Sequence, residues 1–236
     1  KPRRDYGFNN LGGLVNSPGH DYKTAVFTND TVIVITSDRS DLGSVSSYDH
    51  YLYQQKETGW IELSDDFIKV VNSKYNDAAG CFTRDKQSYY FTRCDVKSKV
   101  SGGGMNEYNC AIYKTSIDEG QWSTPHKLNH HINHHGTKNT HPALSPLGDT
   151  LYFVSDRTGG LGKNDIWYSV KNHGEHWGKA VNLKQINTPF TDVSPFYDTD
   201  GSFYFSTNGR ESFGGLDVYI ATGNDLGSVR NIGLPF

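Results

Sequence analysis

The chain has 236 residues, enough for one large domain or a few small ones, and carries a net charge of −3 with its basic residues scattered. That distribution leaves no footprint for nucleic acid, and no segment reads as a signal peptide, a membrane span or a lipidation site, so no direct membrane insertion is expected. Aromatic residues make up 13% of the chain, glycines number 25 and methionine occurs once, a balance that favours short strands and tight turns over helices.

In chain order, FNNLGGLVN (8–16) reads as an outer strand ahead of a first repeat, and residues 1–20 as a closure segment. The first repeat, residues 21–74, has an inner strand in KTAVFT (23–28) and two β-rich runs within TVIVITSDRSDLGSVSSYDHYLYQ (31–54). It ends in an outer strand carrying Trp60. IELSDDFIKVV (61–71) is the best helix candidate in the chain, although an outer strand with its connection explains it equally well. The second repeat, residues 75–137, has an inner strand in AAGCFT (78–83), a long hairpin in SYYFTRCDVKSKVSGGGMNEYNCAIYKT (88–115), Trp122, and HKLNHHIN (126–133) as its outer strand.

The third and fourth repeats, residues 138–190 and 191–236, are the clearest. TLYFVSDRTGGLGKNDIWYS (150–169) and SFYFSTNGRESFGGLDVYIA (202–221) are each a β-rich run, a glycine-containing loop and a second run. Trp177 with AVNLKQIN (180–187), and VRNIGLPF (229–236), supply the outer strands.

Overlaid, Asp38, Asp156 and Asn208 share one position and Asp49, Asp165 and Asp217 another, while the second repeat holds Cys94 and Cys110 there. The second marker recurs at spacings of 61, 55 and 52 residues, the range of a propeller blade with generous loops. The expected fold is an all-β propeller of four-stranded antiparallel blades, one domain over residues 1–236. Five outer-strand phrases against four inner triplets leave the native ring at four blades or five.

The paired acidic and amide residues read as architectural. They end a second strand and begin a third, where they can accept hydrogen bonds from loop amides, and Arg39, Arg157 and Arg210 recur where they could pair with those carboxylates. The loops at 39–48 and 95–109 are expected to project from one face and to be mobile. Tyr22, Tyr75, His141 and Asp192 stand at the beginnings of inner strands, where one rim of the channel should lie. Six of ten histidines fall between residues 126 and 141. The pairs His130 with His134 and His131 with His135 have helix-like ligand spacing, but an extended strand would not hold them on one face, so a solvated loop without metal is expected. The inner strands look nearly bare of the carboxylate pair that a glycosidase needs, and no nucleophile elbow, zinc-protease motif or phosphate loop occurs.

HPALSPLGDTLYFVSDRTGGLGKNDIWYS (141–169), followed by NLKQINTP (182–189), resembles the PD40 repeat, the WD40-like propeller repeat of TolB-type and other bacterial envelope proteins. The likeness is strongest over residues 138–236 and weaker over 20–137. It extends to the propellers of OmpA-family envelope proteins of Bacteroidetes, including those of type IX secretion. That resemblance implies a non-catalytic periplasmic scaffold associated with the outer membrane. It would bind other envelope and secretion proteins, reach peptidoglycan only through a separate OmpA-like domain, and need no cofactor. A glycan- or peptide-binding propeller is the alternative, and a glycoside hydrolase the third. In the periplasm Cys94 and Cys110 can join as a disulfide that pins the loop, leaving Cys81 as a packed core thiol.

Overall fold

A computed structural model of the chain describes residues 10–28, 31–39, 48–98, 107–172, 176–223 and 225–233. Their strands form four antiparallel sheets. The first holds β1 (Asp21–Thr28), β2 (Val32–Ser37), β3 (Asp49–Lys56) and β4 (Gly59–Leu63). In the second, β5 (Asn76–Phe82), β6 (Ser88–Ser98), β7 (Glu107–Asp118) and β8 (Gln121–Trp122) run in order, with β9 (His126–Lys127) also on β7. The third comprises β10 (Asn139–Leu144), β11 (Thr150–Ser155), β12 (Asp165–Val170) and β13 (Val181–Asn182). The fourth comprises β14 (Asp192–Tyr197), β15 (Phe203–Thr207), β16 (Asp217–Thr222) and β17 (Ser228–Asn231). Inner strand β1 lies beside β5, β5 beside β10 and β10 beside β14, so the sheets are consecutive blades of a β-propeller.

The period of two along each second strand builds the core between blades. In β2, Val32 and Val34 face blade 2 and pack with Phe67, Val71, Tyr89 and Phe91, while Ile33 and Ile35 face the other way, with Val15 and Tyr53. Buried on both faces, this strand is a continuous apolar run rather than an alternating one. Between blades 2 and 3, Tyr90, Ile112 and Ile132 meet Leu151, Phe153 and Trp167; between blades 3 and 4, Val154, Ile166 and Ile186 meet Phe203, Phe205 and Tyr219.

The outer edges depart from expectation. Residues 10–16 form turns rather than a strand, with Val15 fully buried, and residues 8–9 lie outside the described residues. The segments at 126–133 and 180–187 pair for only two residues each before turning inward, because Leu128, Ile132, Leu183 and Ile186 leave the sheet to plug the space between blades. In blade 1 that plug is helix α1 (Asp66–Val71), so the segment 61–71 is half strand, half helix. The side chain of Asp65 accepts from the Phe67 amide as N-cap, and Phe67 and Val71 are the buried residues. Residues 40–47 and 99–106 of the two long loops also lie outside the described residues.

Each inner strand shifts register near its start. In three of them a non-glycine residue sits there at positive φ: Ala79 at 38°, His141 at 50° and Ser194 at 54°. The kink turns an amide toward the preceding blade. The Ala79 N–H donates to Thr36 Oγ1 at 2.9 Å and the His141 N–H to Thr92 Oγ1 at 3.1 Å.

Candidate functional site at the inner-strand end

Strand register gathers the marked residues at one end of the blades. Asp21, Ser37 and Asp49 form one row, Asn139, Ser155 and Asp165 a second, and Asp192, Thr207 and Asp217 a third. In blade 2 the corresponding row is Asp77, Arg93 and Ala111. Cys94 and Cys110 therefore face each other one step further out. The overlay places Cys94 correctly opposite the Asp156 position but slips by one at Cys110, whose counterpart is Asn164 rather than Asp165. Directly opposed, with Cα atoms 4.1 Å apart, the two cysteines form a disulfide. Cys81 lies outside the bridge and is partly exposed, not the buried thiol expected, although its counterpart Ala143 is 3% exposed.

The marker residues accept hydrogen bonds from backbone amides. Asp38 takes the N–H of His20 at 2.5 Å, Asp156 that of Lys138 at 2.7 Å and Asn208 that of Thr191 at 3.1 Å, each tying the end of the second strand to the start of the first. His20 Nδ1 also meets Asp38 Oδ2 at 2.8 Å; this hydrogen bond holds the Asp38 carboxyl below its usual range and lifts the imidazole. Asp165 accepts from the amides of Leu161 and Gly162 and from Asn182 Nδ2. Asp217 accepts from the Phe213 amide at 2.5 Å and Asn231 Nδ2 at 3.3 Å. Asp49 opens β3 and is half-buried.

A second repeated phrase carries as much of this end. Asn-Ser/Thr-x-x-x-Asp occurs at Asn16–Asp21, Asn72–Asp77 and Asn187–Asp192. Its aspartate reaches back four residues to an amide: Ser17 N to Asp21 at 2.6 Å, Ser73 N to Asp77 at 2.7 Å, Thr188 N to Asp192 at 2.6 Å. Its asparagine clamps the third strand. Asn72 Oδ1 accepts from the His50 N–H and Nδ2 donates to the His50 carbonyl, and Asn187 does the same at Ile166. Asn133, in blade 2, does so at Ile112.

The arginines close these clasps from the side. They meet the first-strand residue rather than the expected Asp38 or Asp156: Arg39 bonds Asp21 at 2.7 Å, Arg93 bonds Asp77 at 2.5 Å and Arg157 bonds Asn139 Oδ1 at 2.7 Å. Each also donates to carbonyls of the preceding connector, Arg39 to Leu14 and Val15, Arg93 to Val71, Arg157 to His131 and Ile132. Arg210 reaches the Ile186 carbonyl at 3.0 Å. Three of the four inner strands thus begin with a carboxylate, contrary to the nearly bare strands expected. Burial pushes Asp21 up, but hydrogen bonds from Ser37, Arg39 and Ser17 outweigh it and leave the carboxyl low. For Asp77 burial prevails over Ser73 and Arg93 and lifts the carboxyl to about 6; burial raises Asp192 too. Asp77 and Asp192 are 0% exposed, which keeps both out of reach of a substrate.

Of the remaining candidates, Tyr22 is half-buried and packs edge-on against Tyr48 at 5.2 Å, and burial raises its hydroxyl pKa. Tyr75 is exposed, with Lys74 Nζ 5.3 Å from its ring centre, and His141 is partly exposed at its kink. His130 and His131 lie in a turn that begins at Asn129, their rings 4.1 Å apart, and His134 and His135 are exposed. No group of three or more His, Cys, Asp or Glu placed to hold a metal occurs among the described residues. Exposed aromatic rings do stand at this end: besides Tyr75, Phe190 before β14 and Phe213 between β15 and β16.

The fold and this rim define a β-propeller whose blades repeat a set of polar clasps, with the arginine clasp complete in blades 1 to 3. No family model and no curated protein matches the chain. Among solved structures, it is similar to an α-L-arabinofuranosidase from Lactobacillus brevis, at 10% identity and a TM-score of 0.50 over 88% of this chain and 71% of that one. A xylan β-1,4-xylosidase from Bacillus halodurans gives 14%, 0.47, 91% and 41%, and a Mycobacterium tuberculosis puromycin-hydrolysing peptidase 12%, 0.46, 87% and 29%. The chain thus spans under a third of that peptidase's length. At these identities the likeness establishes the propeller fold. It also corrects the expectation of a non-catalytic scaffold: the arabinofuranosidase that shares this fold is a hydrolase, so the fold gives no ground for setting catalysis aside. The disulfide marks an oxidising compartment, and no helix among the described residues is long and apolar enough to cross a membrane.

Proposed function

We propose that this chain is the substrate-binding propeller of a glycan-directed hydrolase, taking its ligand at the end where the inner strands begin. The observation that carries this reading is the set of exposed rings there, Tyr75, Phe190 and Phe213 at 37%, 56% and 67%, on loops held by buried clasps. Exposed aromatic faces can stack on a ligand, and loops fixed on a stiff scaffold are where binding residues concentrate. The arabinofuranosidase likeness is in keeping with a carbohydrate ligand. Asp21, Asp77 and Asp192 serve the clasps, so the binding half of the reading is the part the geometry supports. Residence in the periplasm belongs to the same reading, supported by the Cys94–Cys110 bridge, and the PD40-like turn at Ser145–Gly148 supports descent from envelope propellers. Calorimetric titration with xylo- and arabino-oligosaccharides tests it. Phe190→Ala with Phe213→Ala should weaken binding at least about fivefold, since stacking on one ring is worth roughly 0.5–1.5 kcal/mol. Absence of binding to any oligosaccharide, or binding of peptides alone, would refute it.

A further inference from the structure

Blade 4 breaks the arginine clasp. In blades 1 and 3 the arginine follows its serine by two residues, and its Nε donates to that serine, Arg39 to Ser37 and Arg157 to Ser155, both at 3.0 Å. In blade 4 Gly209 is inserted, and its N–H, rather than that of the arginine, caps Thr207 Oγ1 at 3.0 Å. A Cβ at this position would collide with the Thr188 side chain, so only glycine fits. The insertion moves Arg210 one residue along. It keeps the Ile186 carbonyl, but its Nε is buried with no hydrogen-bond partner, and Asp192 accepts from Thr188 instead of an arginine.

The displaced guanidinium lines a cavity of about 560 Å³ together with Arg230, Phe213, Tyr219, Asn231 and Glu211. Neither arginine has an ion-pair partner among the described residues. Tyr219 is held in the wall by its hydroxyl, which donates to the Glu211 carbonyl. Two arginines outside any ion pair among the described residues, one with an unmet donor, beside an exposed ring are the groups that recognise a carboxylate on a ring-bearing or apolar ligand. The negative charge of Glu211, a residue of the same lining, disfavours a doubly charged phosphate more than a singly charged carboxylate.

We propose that this blade 4 cavity is a carboxylate-binding site, gripped by Arg210 and Arg230 with Phe213 against the body of the ligand. It rests on the arginines and not on the carbohydrate reading. The carboxylate could belong to a uronic acid of an acidic glycan or to a peptide C-terminus.

The test is calorimetry at low salt with trigalacturonate and its methyl ester, Gly-Gly-Phe and its amide, and inorganic phosphate. At least one free carboxylate should bind about tenfold or more tightly than its ester or amide. Arg230→Gln, at an exposed position, should remove that preference with the thermal unfolding curve unchanged. Arg210→Gln should do the same but also loses the bond to Ile186, so Arg230→Gln decides. Binding indifferent to esterification and amidation, a preference that survives Arg230→Gln, or tighter binding of phosphate than of either carboxylate would overturn the proposal. Loss of neutral oligosaccharide binding alone would strike the carbohydrate reading and leave this one standing.

Discussion

Replacing Cys94 and Cys110 together with alanine should lower stability by an amount set by chain entropy. The bridge joins residues separated by 16 in sequence, and closing a loop of about 15 residues removes roughly 3 kcal/mol of freedom from the unfolded chain. The strand pairing itself should survive, because the ladder continues past the bridge at Asp95 opposite Asn109. At about 2–4 °C per kcal/mol for a chain of this size, the melting temperature should fall by about 6–12 °C. Scanning calorimetry checks this, with reduced wild type as a control that should coincide with the double variant. Thiol titration of the denatured, unreduced protein should count one thiol, that of Cys81. Superimposable curves for oxidised wild type and the variant, or a count of three thiols, would refute the reasoning.

Arg93→Ala should cost about 3–5 kcal/mol in urea unfolding at pH 7, because it strands the buried Asp77. Arg210→Ala, which breaks a hydrogen bond to a carbonyl, should cost about 1 kcal/mol; equal losses would contradict the difference between the blades. His50, packed edge-on to Tyr89 and Phe91, is held neutral by burial, its pKa lowered to about 4. The native state therefore binds fewer protons than the unfolded one, and the stability His50 allows above pH 6.5 is lost as pH falls toward 4, a total of about 3 kcal/mol. His50→Phe should flatten that limb of the stability–pH curve, and an unchanged limb would show that His50 does not produce it. Ile132→Ala, in the plug between blades 2 and 3, should cost about 2–5 kcal/mol, against less than about 0.5 for Leu147→Ala, whose side chain is 81% exposed.

Blades were legible in the sequence because each repeats a hairpin whose period-two pattern survives different loops. The outer edges were less so. A segment such as 180–187 has strand-like composition, yet Leu183 and Ile186 gain more by entering the space between blades than by extending a ladder on the rim. The Asn-Ser/Thr-x-x-x-Asp phrase repeats as visibly as the marker pairs, but it straddles the junction between one blade and the next and vanishes when the chain is cut into blades. Arginine partners were misassigned because Asp38 and Asp156 are neighbours of Arg39 and Arg157 in sequence, whereas alternation along the strand turns the arginines toward Asp21 and Asn139. The slip at Cys110 has a similar cause: loops of unequal length hide the register that a hydrogen-bonded ladder reveals. The blade 4 cavity follows from one inserted glycine, which reads as loop variation until the blades are superposed in space.

The grip of each arginine on the carbonyls before its own blade gives the assembly a direction. Arg39, Arg93, Arg157 and Arg210 all hold chain that precedes them, so every connector is locked by the blade that follows it. Such a molecule behaves as a line of nearest neighbours, in which the cost of opening one junction depends on whether the next is still shut. A junction between two formed blades should therefore exchange its amides slowly, and opening one should speed exchange in its neighbour.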